Sequence, residues 1–261
     1  MKNRIPAEEI KNIEVSILDF INEICEENKI HYYLAYGTLL GAIRHQGFIP
    51  WDDDIDIYML REDYTRFIQI LRNKQDNRYQ LISMYNDRNY TYEFAKVVDN
   101  RTVLTVNNIN HSTKEGVWVD IFPLDMGAKK IRVQKVLINM AVACRILSVY
   151  QRFPYQKRSI AFYPVWLFSR LIGHRFFLRI INRLSQMGKN GEIVGYMASM
   201  GVSRYYFPKK WCDNICMVEF EGKRYPAFEH YDDYLKYQYG NYMQLPPVEK
   251  RLSHPVEAYW R

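Results

Sequence analysis

The stretch that decides the fold is residues 36–59, which read YGTLLGAIRHQGFIPWDDDIDIYM. It closes on four acids, which are Asp52, Asp53, Asp54 and Asp56. Because side chains alternate between the faces of a strand, Asp54 and Asp56 are predicted to share one face of a strand at residues 54–60, with the isoleucines facing the core. Carboxylates so close repel each other, which indicates a site for one or two hard cations. A solvated acidic face on an edge strand is the alternative.

A Gly-Thr pair, Gly37 and Thr38, stands at the start of this stretch. The aromatic segment before it, residues 31–36, is predicted to be a strand, and a helix is predicted to begin at residues 39–44. Backbone N–H groups at a helix start suit phosphate oxygens, so the pair is predicted to bind the phosphates of a nucleotide-type donor substrate. A plain turn is the alternative. Arg44 and Lys96 are further candidates for contact with the donor phosphates.

A second acid-bearing strand is predicted at residues 117–122, VWVDIF. Asp120 stands alone there among large apolar neighbours, and a carboxylate in such a run is costly to bury unless it is paired or bound to a metal. A surface or helix-capping role is the alternative. If Asp120 lies beside Asp54 and Asp56, three carboxylates converge, and a divalent cation would offset their repulsion.

The remaining pattern predicts helices around a small sheet. Helices are expected at residues 5–28, 61–71, 131–147 and 231–239, the last ending at Gly240. Strands are expected at residues 79–85, 92–98 and 102–106 as antiparallel neighbours, and around a Glu-Gly turn within residues 218–228. The pattern leaves open whether Lys96 and Arg101 point into the site or to solvent. Residues 188–201 are glycine-rich and are predicted to be a loop.

The 261-residue chain has a net charge of +7, and its positive charge is concentrated in one segment. Residues 126–191 contain thirteen Lys and Arg and no acid, so the remainder is mildly acidic, which argues against a nucleic-acid-binding face over the whole protein. No apolar run in this segment reaches the roughly 20 residues that a membrane span needs. Two interpretations stay open: a helical subdomain packed on a catalytic core, and a surface that contacts an anionic membrane or glycolipid.

The cysteines and the first residues bear on the cellular compartment. Cys212 and Cys216 are close in sequence, but no second pair completes a zinc site, so the four cysteines are predicted to be reduced structural thiols. The opening residues, MKNRIPAEEIKNIE, lack the apolar core of a signal peptide. We therefore expect a cytoplasmic protein with peripheral contact at the inner face of the cytoplasmic membrane.

The longer run YGTLLGAIRHQGFIPWDDDIDIYMLREDYTRF resembles the signature of the LicD family of phosphotransferases. Further matches to that family are FAKVVDNRTVL, VWVDIFPLD, the segment YDDYLKYQYGNYMQLPP and His254. The resemblance covers about residues 13–125 and 219–254. It implies an α+β fold, with a nucleotidyltransferase-like small mixed β-sheet flanked by helices and an added helical subdomain. Residues 1–125 would form the catalytic core, residues 126–200 a basic helical insert, and residues 201–261 a C-terminal segment completing the core.

The resemblance also assigns roles to single residues. The matching positions are Gly37 and Thr38 for the family's Gly-Ser/Thr turn, Asp54 and Asp56 for its metal-binding pair, Asp120 for its third acid, and Asp52 for a secondary acid. The implied reaction is transfer of a phosphorylated alcohol with Mg²⁺, or Mn²⁺, bound by the three acids. The expected donor is CDP-choline and the expected acceptor is a sugar hydroxyl of lipopolysaccharide, teichoic acid or capsule, with ribitol or glycerol phosphate as alternative cargo. Asp120 would take the proton of the hydroxyl.

Two other functions stay open from the residues. A nucleotidyltransferase that takes a nucleotide from an NTP and releases pyrophosphate would use the same acids. A non-catalytic protein that binds nucleic acid or membrane would be built around the basic segment, although the intact acid triad argues against it. The expected partners are a CDP-activated donor, a glycan or glycolipid acceptor and an anionic membrane surface, and no nucleic acid.

Overall fold

The computed structural model describes residues 3–105, 116–150, 162–188, 191–197, 206–251 and 257–261. Helices and strands are both present along the whole described chain, which divides into two compact units. Unit 1 comprises Met1–Ile82, Ala95–Pro123 and Lys210–Arg261, and unit 2 comprises Ser83–Phe94 and Leu124–Lys209. All four cysteines have free thiols, as predicted.

The helices and strands are named here in chain order. They are β1 (Arg4–Ile5), α1 (Ala7–Asn28), β2 (Tyr33–Leu34), α2 (Tyr36–His45), β3 (Asp56–Leu60), α3 (Arg61–Asn73), β4 (Tyr79–Ile82), β5 (Ala95–Asp99), β6 (Thr102–Thr105), β7 (Trp118–Met126), α4 (Ile131–Tyr150), α5 (Phe162–Ile172), α6 (His174–Ser185), β8 (Ile193–Gly195), β9 (Tyr206–Pro208), β10 (Ile215–Phe220), β11 (Lys223–Phe228), α7 (Tyr231–Tyr239) and β12 (Glu257–Trp260). Single-turn 3-10 helices lie at Lys209–Cys212 and Val248–Lys250.

The main sheet of unit 1 has the strand order β2-β3-β7-β5-β4. The two strands that carry the predicted site acids, β3 and β7, are therefore neighbours inside the sheet. Helix α1 lays an apolar stripe against it, with Ile13, Ile17 and Ile21 buried, as the helical spacing predicts. The helix begins two residues later than predicted because Ile5 belongs to β1, where it pairs with Ala258.

A second sheet in unit 1 has the order β1-β12-β6. The prediction that β4, β5 and β6 are consecutive neighbours is correct for β4 and β5 and wrong for β6, which pairs with β12. The physical reason is that β5 already has a partner along each edge, β4 on one side and β7 on the other. Strand β6 must satisfy its backbone hydrogen bonds elsewhere.

The C-terminal part of unit 1 matches its prediction closely. Strands β10 and β11 form a hairpin around Glu221 and Gly222, both with positive φ. Helix α7 ends at Gly240, whose φ of 69° is accessible to glycine at little cost. The hairpin packs on the main sheet through Phe228, whose ring stacks on that of Tyr33 with the centroids 4.4 Å apart.

Unit 2 is built around helices α4, α5 and α6 and the short strands β8 and β9. The predicted loop at residues 188–201 is wrong in part, because Ile193–Gly195 forms β8 and pairs with the end of β7. The glycines in this segment allow its backbone to pack closely against the backbone of Met126 and Gly127. A Cβ atom on Gly188 or Gly191 would lie 2.1 or 2.0 Å from backbone oxygens of Met126 or Gly127. Within the described ranges no helix is long and apolar enough to span a membrane.

A buried ion cluster holds the end of β5. The Asp99 carboxylate is 0 % exposed and accepts hydrogen bonds from Arg101 Nη2 at 2.6 Å and Arg78 Nε at 3.1 Å. Arg101 therefore has a structural partner in Asp99. Burial raises the pKa of Asp99, but the hydrogen bonds from the two arginines outweigh it and hold the pKa below its usual value.

Replacing Asp99 with asparagine is expected to lower the free energy of unfolding by about 2 kcal/mol at pH 7, since charged hydrogen bonds are lost at a buried position. The stabilisation is complete above the unfolded-chain pKa of about 3.9 and is lost as the pH falls through the depressed folded-state pKa. Urea unfolding at pH 7 and pH 3 measures the difference. Asp63→Asn, which removes a more exposed pair with Arg66, is the control, expected within about 0.5 kcal/mol. Equal effects of the two variants at pH 7 would contradict the assignment.

Candidate active site

Backbone hydrogen bonds bring the predicted acids together. Asp120 N–H donates to the carbonyl of Ile55 at 2.9 Å, which joins β7 to the segment that enters β3. Asp56 is the first residue of β3, and its N–H donates to Thr38 Oγ1 at 2.8 Å. Asp54 precedes the strand, so the predicted strand start was two residues early. The three acids thus lie on adjoining segments, which is the condition under which the sequence analysis expected three carboxylates to converge.

The Gly-Thr pair lies in the first turn of α2 rather than in a turn before a helix, because the helix begins at Tyr36. Tyr36 has a φ of 42°, and this single left-handed residue changes the chain from strand to helix without an intervening turn. A Cβ atom on Gly37 would lie 2.3 Å from Asp52 Oδ2, so the helix start touches that carboxylate. Thr38 accepts from Asp56 N–H and keeps its own O–H to donate.

The carboxylates act on one another electrostatically. Burial, and then the charges of Asp54, Asp120 and Asp52, raise the pKa of Asp56 well above its usual value. Burial raises the pKa of Asp120 to about 6, against the opposing effect of Lys96 and with a further increase from Asp54. Burial also raises the pKa of Asp52. The site therefore holds more negative charge than its own side chains neutralise, which is a common property of functional sites.

Lys96 points into the site. It lies opposite Asp120 in the pairing of β5 with β7, and its Nζ is 3.2 Å from Asp120 Oδ1. The same ammonium lies 3.6 Å from the ring centroid of Trp118, and the residue is only 4 % exposed. The orientation that the sequence left open is thus settled, and the predicted contact of Lys96 with a donor phosphate stays a prediction.

Arg44 is not brought to the carboxylates. It lies two turns beyond Gly37, about 10 Å along the helix at 1.5 Å per residue. Its Nη1 donates to the carbonyl of Tyr242 at 2.8 Å, and its Nε donates to His45 Nε2 at 2.9 Å. Arg44 does not lie beside the acids, and its contact with the donor phosphates stays a prediction. His254, the matched histidine of the tail, lies outside the described residues.

Glu14 is a site residue that the sequence analysis missed. It lies on α1, is 5 % exposed, and carries a buried Oε2 for which the described residues provide no hydrogen-bond partner. Burial first, and then the charges of Asp54 and Asp53, raise its pKa well above the usual value. A signal was present, because Glu14 falls between Ile10 and Ile17 on the apolar stripe of the helix, where a charged residue is unusual.

A family model described as LicD/FKTN/FKRP, nucleotidyltransferase domain, matches residues 29–167. The lipopolysaccharide cholinephosphotransferase LicD of Haemophilus influenzae is 32% identical over 256 residues, which cover 94% of each chain. The chain belongs to the LicD family. The resemblance predicted from the sequence run is confirmed.

More distant members of the LicD family match a smaller part of the chain. The ribitol 5-phosphate transferases FKRP of human and mouse are each 29% identical over 104 residues, which cover 40% of this chain and 19% of those proteins. Glu14 lies before the residues that the family model matches, whereas Gly37, the acid run and Asp120 lie within them.

Carboxylate oxygens are the protein ligands that Mg²⁺ prefers, so the side chains of this LicD-family site are chemically suited to bind it. No group of three His, Cys, Asp or Glu side chains is arranged to hold a metal ion in the part of the chain that is described. Asp120 is already neutralised by Lys96 at 3.2 Å. Mg²⁺ is usually bound by one or two carboxylates together with substrate phosphates and water. Asp54 and Asp56 would supply these two carboxylates, and the phosphates of a donor substrate and water would supply the remaining ligands.

Proposed function

We propose that this LicD-family protein transfers phosphocholine from CDP-choline to a sugar hydroxyl of a cell-surface glycan or glycolipid, with lipopolysaccharide as the first candidate. The observation that carries the proposal is the match to the Haemophilus influenzae lipopolysaccharide cholinephosphotransferase along 94% of both chains. The family model, described as a nucleotidyltransferase domain, supports a nucleotidyltransferase-like core for unit 1. The FKRP matches favour ribitol phosphate as the alternative cargo.

The proposed reaction is a displacement at phosphorus. The acceptor hydroxyl oxygen forms a bond to the phosphorus that carries choline, and the bond from that phosphorus to the bridging oxygen breaks, so that CMP leaves. The proton of the hydroxyl goes to Asp120, because its pKa of about 6 leaves the carboxylate ionised at neutral pH yet basic enough to accept a proton. Lys96, 3.2 Å away, holds the carboxylate in one orientation.

The other site residues would bind and orient the donor. Asp54 and Asp56 would hold Mg²⁺, or Mn²⁺, which supplies neutralisation of the charge on the diphosphate. The backbone at Gly37 and the hydroxyl of Thr38 would contact donor phosphates at the start of α2. Thr38 also accepts a hydrogen bond from Asp56 N–H at 2.8 Å, so the phosphate-binding and metal-binding residues form one connected unit.

A product assay tests the proposal. The purified protein is incubated with a lipopolysaccharide acceptor and, in turn, CDP-choline, CDP-ribitol, CDP-glycerol or CTP. The expected result is CMP release and a phosphocholine mass increment on the glycan with CDP-choline and Mg²⁺, and neither with EDTA. Pyrophosphate release from CTP, without CMP release from any CDP-alcohol, would instead establish the nucleotidyltransferase alternative.

Peripheral membrane contact belongs to the same proposal, because a glycolipid acceptor is held at a membrane. Helix α5 of unit 2 exposes Phe168 and Leu171, the latter 78 % exposed, beside Arg170. Apolar side chains next to a cation are typical of helices that lie in an anionic membrane surface.

The protein is expected to float with phosphatidylglycerol vesicles at low salt, and the double variant Phe168→Ser/Leu171→Ser is expected to stay at the bottom of the gradient. Val248→Ser removes an equally exposed apolar side chain of unit 1, 73 % exposed, and is the matched control that should float. Phosphatidylcholine vesicles should retain little protein of any variant. Wild-type protein that remains at the bottom with the anionic vesicles would refute the contact.

A further inference from the structure

A cavity of about 210 Å³ lies in unit 1 beside the acid run. Helix α1 lines it with Ile10 and Glu14, the acid run contributes Asp53 and Asp54, and β7 contributes Trp118. Pockets that enclose a whole drug-sized ligand measure roughly 300–1,000 Å³. The cavity is therefore too small for a nucleotide and fits one end of a longer molecule whose phosphates lie at the carboxylates.

The side chains that line the cavity favour a positively charged ligand. The Glu14 side chain is 5 % exposed, lines the cavity, and its Oε2 is buried without a hydrogen-bond partner among the described residues. A buried carboxylate oxygen without a partner is costly and rare in native structures. Asp53 and Asp54 add negative charge to the same wall. A cation bound in the cavity would supply the partner that Glu14 Oε2 lacks among the described residues.

The shape of the wall favours an organic cation over a metal ion. Part of the lining is apolar, with Ile10, Leu104 and Val117 beside the acids. Trp118 adds an indole, the aromatic ring that attracts quaternary ammonium ions most strongly. The Lys96 ammonium lies 3.6 Å from the centroid of this ring and covers one face, so a ligand in the cavity would use the other face. The tyrosines Tyr58 and Tyr234, by contrast, are fully buried against each other and provide no comparable opening.

We propose that this cavity binds the quaternary ammonium group of the choline donor, with Glu14 as the counter-charge and Trp118 as the aromatic wall. The proposal rests on the proposed function and names the residues that select its cargo. An ethylene linker separates the ammonium from the choline phosphate, so a head group in the cavity keeps the phosphorus close to Asp54. Glu14 and Trp118 are specificity-determining residues in this assignment, and neither takes part in the displacement itself.

Calorimetric titration with CDP-choline and CDP-glycerol in Mg²⁺ tests the assignment, because the two donors differ in the charge of the cargo. Wild-type protein is expected to bind CDP-choline at least about tenfold more tightly than CDP-glycerol. In Glu14→Gln, which keeps the size and removes the charge, the ratio of the two affinities is expected to fall close to one. Glu23→Gln changes an exposed acid on the same helix and should keep the wild-type ratio.

A second variant, Trp118→Leu, is expected to lower the same ratio, and circular dichroism of each variant reports on its folding. A preference for CDP-choline that persists in Glu14→Gln would overturn the assignment. Equal wild-type affinities for the two donors would also overturn it, while transfer from either donor would leave the proposed phosphotransferase activity standing. Wild-type protein that binds neither donor and transfers from neither would refute the proposed function together with the assignment.

Discussion

Replacing Asp56 with asparagine is expected to reduce phosphocholine transfer by at least about 10³-fold while raising the thermal stability of the protein. In the proposed reaction Asp56 helps to hold the metal ion at the donor phosphates, and the activity is lost because asparagine does not carry that negative charge. The stability rises because the wild-type carboxylate is destabilised in its charged form, first by burial and then by the charges of Asp54, Asp120 and Asp52, which all raise its pKa. The bond from residue 56 N–H to Thr38 Oγ1 involves the backbone and is kept in the variant.

The stability gain is expected to be about 0.5–2 kcal/mol, the range typical of single stabilising substitutions. For a chain of this size each kcal/mol corresponds to a Tm increase of about 2–4 °C. Differential scanning calorimetry in EDTA and the CMP-release assay in Mg²⁺ measure the two effects on the same preparation. Asp213→Asn, at an exposed position, should change neither. A variant that loses both activity and stability would mean that Asp56 is structural.

Removing Lys96 is expected to have the largest effect on folding. Lys96→Met leaves Asp120 as a buried carboxylate without its cation, and breaking a buried pair in this way costs about 3–5 kcal/mol. Asp120→Asn is expected to cost much less, because the positive charge of Lys96 also acts on Asp56, whose pKa it lowers against the larger effect of burial. The site has more carboxylates than cationic side chains. Removing the cation is therefore expected to lower the free energy of unfolding more than removing one carboxylate.

A double-mutant cycle tests this asymmetry. The variant Lys96→Met/Asp120→Asn is expected to be more stable than Lys96→Met alone, with an interaction energy of about 1–3 kcal/mol. Urea unfolding of the wild type, the two single variants and the double variant provides the four free energies. Additive effects, or a smaller loss for Lys96→Met than for Asp120→Asn, would contradict the role assigned to the pair at 3.2 Å.

The sequence contained the main features of the site because they depend on local rules. The alternation around Asp56 and the isolated acid at Asp120 each predict a strand with one polar face, and these strands are neighbours in the sheet. The hairpin at Glu221 and the helix end at Gly240 follow from turn chemistry within a few residues. Such features need no knowledge of distant partners.

Other features could not be predicted from the sequence because they depend on contacts between distant segments or on a single backbone angle. Nothing in the composition of β6 indicates that its partner is β12. The left-handed conformation of Tyr36, which moves the helix start to the Gly-Thr pair, is uncommon for a tyrosine and has no sequence signal. Arg44 belongs to the same sequence run as the acids, but it lies near the end of α2, away from the Gly-Thr pair whose helix start contacts Asp52.

The placement of β12 between β1 and β6 has a consequence for biosynthesis. Strand β6 ends at Thr105 and β12 begins at Glu257, so a ribosome adding 5–20 residues per second makes β12 about 8–30 s after β6. Throughout that interval β1 and β6 are nascent strands with open edges, which can pair with other chains. Production of this protein is therefore expected to be sensitive to translation speed and to chaperones that shield nascent strands.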